Sequence, residues 1–228
     1  MIDPSSITAL YLTLQLAVVS TLILLVLGTP LSWWLARTPW KGRSIIEAMV
    51  ALPIVLPPTV IGFYLLLALG SEGPIGVLTA FLGIGSINFS FAGLVLGSVI
   101  YSLPFVVQPL QHAFSQLDDK QLEAAATLGA SNADRFFSIA IPQAKKGYLT
   151  AGVLGFAHTL GEFGVVLMIG GNIPGETRVA SIAIYDHVES MQYSQAHYLS
   201  ATLLVISFLL LLITYVTQHK KREVSHVH

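Results

Sequence analysis

The chain has 228 residues, of which 54% are hydrophobic and only 10% charged, with a net charge of −1. A soluble domain of this size carries about a quarter charged residues, so the composition excludes that class and identifies an integral membrane protein. The balanced charge gives no basis for nucleic-acid binding, and the absence of cysteine excludes disulfides and thiol-ligated metal.

The opening "MIDPSSITAL" lacks a basic leader, and the apolar run after it is too long for a signal-peptide core, so no cleavable signal is expected. A spanning helix needs about 20 apolar residues. Five such stretches are expected at roughly 8–36, 45–69, 89–111, 148–171 and 198–217, giving an all-α protein of about five spans. The first is long enough to tilt or protrude. Between them lie a short basic turn, an outer loop around "GSEGPIGVLTAFLGIGSIN", a polar island at 112–147, a second outer loop at 172–197 and a basic tail at 218–228.

Basic residues set the expected orientation. Arg37, Lys41, Arg43, Lys120, Arg135, Lys145, Lys146, Lys220, Lys221 and Arg222 share one side, and of the eleven only Arg178 lies opposite. The positive-inside rule places the amino terminus outside and the carboxy terminus in the cytoplasm. The island is then cytoplasmic.

Prolines punctuate the apolar stretches: Pro30 in the first, Pro53, Pro57 and Pro58 in the second, Pro104 and Pro109 in the third. Each removes an intrahelical hydrogen bond, which a bilayer tolerates only where the freed carbonyl is shielded. They are read either as packing kinks or, around Pro57 and Pro58, as a bent helix lining a pathway. Small residues through 150–171 permit close helix packing.

The island reads as two short helices. Asp118 or Asp119 caps the first, Glu123 near its amino end suits the helix dipole, and Ala124, Ala125 and Ala126 leave a smooth face. Gly129 is placed to end it in the left-handed region. Ser131 and Asp134 have capping-box spacing for the second helix, which carries Phe136, Phe137 and Ile139 and is checked by Pro142.

The spacing of Glu123, Ala124, Ala125, Gly129, Ile139 and Pro142 resembles the signature of importer permeases of the ATP-binding-cassette class. Ile141 stands where that family usually has Leu. The resemblance implies the type I importer permease fold, one permease domain over 1–228, and a coupling role for 112–147 against a cytoplasmic ATPase. It implies as partners a second copy of the permease, two ATPase subunits and a periplasmic binding protein, all in or at the inner membrane with its lipid. No G-x-x-x-x-G-K-[ST] phosphate loop is present, so ATP and Mg are expected in the partner ATPase and no cofactor or catalytic residue in this chain.

"GEFG" at 161–164 and "GNIPGETR" at 171–178 resemble the permeases for molybdate, as do "LPIVLPPTVIGFYLLLALG" and "FSFAGLVLGSVIYSLPFVVQPL". Sulfate and thiosulfate permeases share part of this frame, and tungstate is not separable from molybdate. The resemblance implies molybdate as cargo, with affinity residing in the binding protein.

Within the spans no Arg or Lys is offered to a dianion, and Glu162 has the wrong sign for a ligand. An intramembrane acid is a functional candidate by default. With His158 four residues earlier, Glu162 is expected to bond either His158 or backbone, in a structural or gating role together with Gly161, Pro57 and Pro58. Asn172 and Arg178 in the outer loop face either the binding protein and released anion or solvent alone. Val179, Ile182, Val188 and Met191 fall on one helical side, so part of that loop is expected to pack on the membrane. The tail histidines His219, His226 and His228 are read as a disordered end rather than a metal site, and no regulatory domain is expected after the last span.

Two other classes fit less well. A gradient-driven secondary transporter typically carries an embedded ion site and an internal repeat, and an intramembrane enzyme needs a nucleophile–base or metal cluster. Neither pattern is visible in the sequence.

Overall fold

The computed structural model describes residues 3–224. Among these the chain is helical throughout: α1 Pro4–Arg37, α2 Arg43–Val55, α3 Pro58–Leu69, α4 Pro74–Phe81, α5 Phe91–Ser115, α6 Asp119–Thr127, α7 Asn132–Arg135, a π-turn at Phe136–Ala140, α8 Ile141–Gln143, α9 Lys145–Leu160, α10 Gly164–Gly170, α11 Ala180–Glu189 and α12 Tyr193–Val224. Four stretches are long and apolar enough to cross a membrane: 4–37, 58–81, 91–115 and 193–212. A fifth results if α9 and α10, bent by 60° at their junction, cross as one.

The second expected span, 45–69, is not one helix. Pro57 and Pro58 lack backbone N–H groups, and a residue before proline is pushed out of the helical region. Leu56 and Pro57 accordingly take extended ψ values of 139° and 137°, and Pro58 becomes the first residue of α3. Pro30, Pro53, Pro104 and Pro109 remain inside their helices.

α1, α5 and α9 pack together as the central layer, with α3 against α10, α10 against α5, and α11 against α12 and α1. Small residues make this possible. A Cβ at Gly155 would stand 2.6 Å from a Val106 methyl, and one at Gly147 would stand 2.3 Å from the Ala113 Cβ. One half of the core gathers Leu16, Ile61, Leu94, Val165, Ile169 and Ile182. The other gathers Leu24, Val106, Leu110, Phe114, Ala140 and Ala151.

Buried hydroxyls hold the layers in register. Ser32 donates to the Val107 carbonyl at 3.0 Å, and Thr13 accepts from the Ala180 amide at 2.7 Å. The two segments expected as outer loops are more ordered than their composition suggested. α4, at the end of the 58–81 stretch, lies in the first and α11 in the second. Val179 and Ile182 of the latter are buried against the bundle, whereas Val188 and Met191 are exposed, so the expected apolar side is only half used. α12 continues to Val224, so 218–224 extends the last helix rather than forming a disordered end. His226 and His228 lie outside the described residues.

Candidate functional site

The island is built as its sequence reads locally. Asp118 caps α6, its carboxylate accepting from the Lys120 amide at 3.0 Å. α6 ends on Gly129, whose φ of +89° lies in the left-handed region, and the Ala130 amide returns to the Ala125 carbonyl at 3.0 Å. Ser131 and Asp134 then form a reciprocal capping box, with both backbone bonds at 3.1 Å. Those bonds hold the exposed Asp134 carboxyl below its ordinary value, the Ser131 side chain being the larger cause and the Ser131 backbone the next. Arg135 reaches back to the Leu122 carbonyl at 3.4 Å and ties α7 to α6.

Instead of a plain second helix, α7 passes into a π-turn. This rotates Phe136 inward against Trp33 at 5.3 Å and leaves Phe137 65% exposed. Single π-turns of this kind concentrate at functional sites. Arg37 anchors the island to α1: it lies 5.2 Å over the Trp33 ring, donates to the Phe114 carbonyl at 3.0 Å and pairs with Asp119.

Of the signature residues, Glu123, Ala124, Gly129 and Pro142 are exposed, and Ala125 and Ile139 are half-buried. A Cβ at Gly129 would meet nothing within 4 Å. Beside it Leu128 is 89% exposed, a residue the sequence reading passed over although an apolar side chain directly before a left-handed glycine is a visible signal. Leu128 and Phe137 leave apolar area on an otherwise polar projection.

A second constellation lies where the two helix breaks meet. Gly164, first in α10, packs on Pro58, first in α3. A cavity of about 590 Å³ opens beside this crossing and is lined by Pro58, Tyr101, His158, Gly161 and Glu162 among others. Pro57 caps α3 without lining it.

The expected His158–Glu162 bond does not form. α9 ends at Leu160 and the chain turns at Gly161, so the four-residue spacing no longer places the two side chains on one helical face. His158 instead bonds the Ser102 hydroxyl through Nδ1 at 2.8 Å and stacks on Phe105 at 3.9 Å between ring centres. Glu162 is 4% exposed, and neither carboxylate oxygen has a hydrogen-bond partner. Its backbone carbonyl accepts from the Ser181 hydroxyl at 2.5 Å, but the carboxylate itself bonds no backbone group, so the expected Glu162–backbone bond does not form either.

Arg178 is not a lone solvated cation. Its Nε donates to Asn172 Oδ1 at 2.5 Å, its guanidinium lies 3.6 Å from Asp186, and Asn172 donates to Asp186 at 3.2 Å. The three residues lock the loop after α10 onto α11. Thr177, fully buried, donates to the Gly170 carbonyl at 2.6 Å and completes that corner.

Residues 28–222 match the model of the family described as binding-protein-dependent transport system inner membrane component. The chain is 56% identical over 217 residues to the molybdenum transport system permease protein ModB of Azotobacter vinelandii, covering 95% of this chain and 96% of that one. The sulfate transport system permease protein CysT of Synechocystis is 34% identical over 223 residues, covering 98% and 78%. Among solved structures, a bacterial ABC transporter involved in the import of the acidic polysaccharide alginate superposes with a TM-score of 0.74 at 18% identity, over 97% of this chain and 80% of that one, a likeness of fold.

Proposed function

The chain belongs to the family of binding-protein-dependent transport system inner membrane components, and from that premise we propose that it is the permease subunit that carries molybdate, or the near-identical tungstate, into the cell. It is a multi-pass protein of the inner membrane. The observation that carries the cargo assignment is the 56% identity to a molybdenum permease across almost the whole of both chains. A sulfate cargo is the second reading, supported by a more distant identity, 34% to a sulfate permease.

In this reading two copies of the permease stand on two cytoplasmic ATPase subunits, with the amino terminus outside and the carboxy terminus in the cytoplasm. ATP and Mg are bound by the ATPases, this chain is non-catalytic, and a periplasmic binding protein delivers the anion. The coupling element is the island, with Glu123, Ala124, Ala125, Gly129, Ile139 and Pro142 presenting it and Leu128 and Phe137 supplying the apolar contact. Its support is exposed apolar surface on a projection that is rigidly capped and anchored through Arg37. A knob of that kind transmits a push, which a floppy loop does not.

The pathway passes the cavity at Pro58, His158, Gly161 and Glu162, next to the break at Pro57. The cavity contains no Lys or Arg, which suits a route that passes a dianion without retaining it. Asn172 and Arg178 shape the outer rim toward the binding protein. The test is competition. Uptake of radiolabelled molybdate into vesicles holding permease, ATPase and binding protein is expected to be abolished by excess tungstate and left intact by equal sulfate. Suppression by sulfate with none by tungstate would exchange the two readings.

A further inference from the structure

The Glu162 carboxylate presents two buried acceptor oxygens to a cavity with no donor bonded to either. Ser98 of α5 stands close enough to act on that carboxyl, but its buried hydroxyl makes no formed hydrogen bond to it or to any other group. Buried polar groups are almost always satisfied, and an orphan of this kind requires an explanation. Packing does not supply one, because an apolar residue of similar shape would avoid the cost of desolvating an acid.

The rest of the wall has the opposite polarity. When Ser102 donates to His158 Nδ1, with Thr159 at 3.0 Å donating to Ser102 in turn, the ring proton of His158 sits on Nε2 and is free to donate. Tyr101 adds a hydroxyl to the same lining. The cavity therefore combines donors for anion oxygens with one acceptor pair that requires a proton opposite it.

We propose that Glu162 binds the passing oxyanion through a single shared proton, held between a carboxyl oxygen and one oxygen of the tetrahedral anion. The inference rests on the molybdate-permease reading and adds a recognition residue to it. No other bond forms or breaks. On release the proton returns to Glu162, so the anion leaves with the charge it brought. An acid in this position favours oxyanions basic enough to share a proton and grips them weakly, since no fixed cation assists. The titratable groups facing it among the described residues are Tyr101 of α5 and His158 of α9, while α11 contributes Ser181 and α3 contributes Thr59.

The test uses vesicles holding the whole importer and reads molybdate taken up per ATP hydrolysed, across pH, for wild type, Glu162→Gln and Glu162→Leu. A shared proton makes wild-type uptake fall as pH rises, by up to about tenfold per pH unit once the proton is no longer held. Glu162→Gln keeps an N–H donor but no titration, and is expected to be about tenfold weaker at neutral pH and flat with pH. Glu162→Leu, checked for insertion and for co-purifying ATPase, is expected to lose uptake. The flat Gln profile also separates Glu162 from His158, which is unchanged in both proteins. A wild type without pH dependence, or a Gln variant that retains the wild-type slope, overturns the proposal and leaves the permease reading standing. A wild type that takes up no molybdate at any pH overturns both.

Discussion

The crossing of the two helix breaks yields a prediction whose size follows from one distance. A Cβ added at Gly164 would stand 2.7 Å from Pro58 Cβ and 3.6 Å from the Pro58 carbonyl carbon, against an ordinary carbon–carbon separation of about 3.5–4.0 Å. Pro58 has no side-chain rotamer to swing aside, and it is the first residue of α3. Relief therefore requires α3 and α10 to separate by about 1 Å where Gly62 already meets Met168 and Val165. Overpacking of this kind costs about 1–3 kcal/mol, against at most about 1 kcal/mol that alanine gains over glycine in a helix.

The assay is reversible unfolding of the purified permease from mild-detergent micelles, followed by helical circular dichroism, in a double-mutant cycle of Gly164→Ala with Pro58→Gly. Removing the proline Cβ is expected to return most of the alanine penalty, giving a coupling energy of about 1 kcal/mol or more. A Gly164→Ala protein as stable as wild type, or a penalty unchanged in the Pro58→Gly background, would refute the contact and with it the argument that the two breaks support each other.

Two further expectations concern the island. Asp134 has a folded pKa below its ordinary value because Ser131 bonds its carboxylate. Its contribution to the cap is therefore present above the unfolded value and lost as pH falls through the folded one. Carbon-detected titration of Asp134 in the assembled permease is expected to give a midpoint under 3.8, and Ser131→Ala is expected to move it up; an unmoved midpoint excludes the capping box as the cause. At Gly129 the left-handed φ costs a β-carbon residue about 1–2 kcal/mol, whereas asparagine tolerates that region. If conformation is the requirement, Gly129→Asn keeps ATPase binding near wild type and Gly129→Ala weakens it by about five- to thirtyfold. Equal loss in both would show that the ATPase approaches too closely for any side chain.

Local rules in the sequence carried through wherever a short range decides the geometry. The Asp118 cap, the left-handed Gly129 and the Ser131–Asp134 box all depend on neighbours within four residues, and all three form. The double proline was legible as a disturbance but not as a complete break. What no local pattern shows is that Gly164 of a distant helix packs against it. The His158–Glu162 pair failed for a related reason: a four-residue rule holds only while the helix continues, and α9 stops between them. Arg178 looked solitary because its partner Asp186 arrives through the folding of α11, a helix inside what composition marked as loop. The π-turn that sends Phe136 inward and Phe137 outward reflects a demand for packing against Trp33 that no pattern in residues 136–140 announces.

The central claim is that a partner ATPase drives molybdate through this permease by way of the island. Its most direct test is uptake of radiolabelled molybdate by cells carrying the permease with its ATPase and binding protein, in wild type and in Gly129→Asp. The open space around Gly129 means the substitution leaves the membrane bundle untouched, while, unlike asparagine, it adds a negative charge to the docking face. The account predicts abundant, membrane-inserted mutant protein with uptake lost and the ATPase no longer co-purifying. Undiminished uptake in the mutant would contradict it.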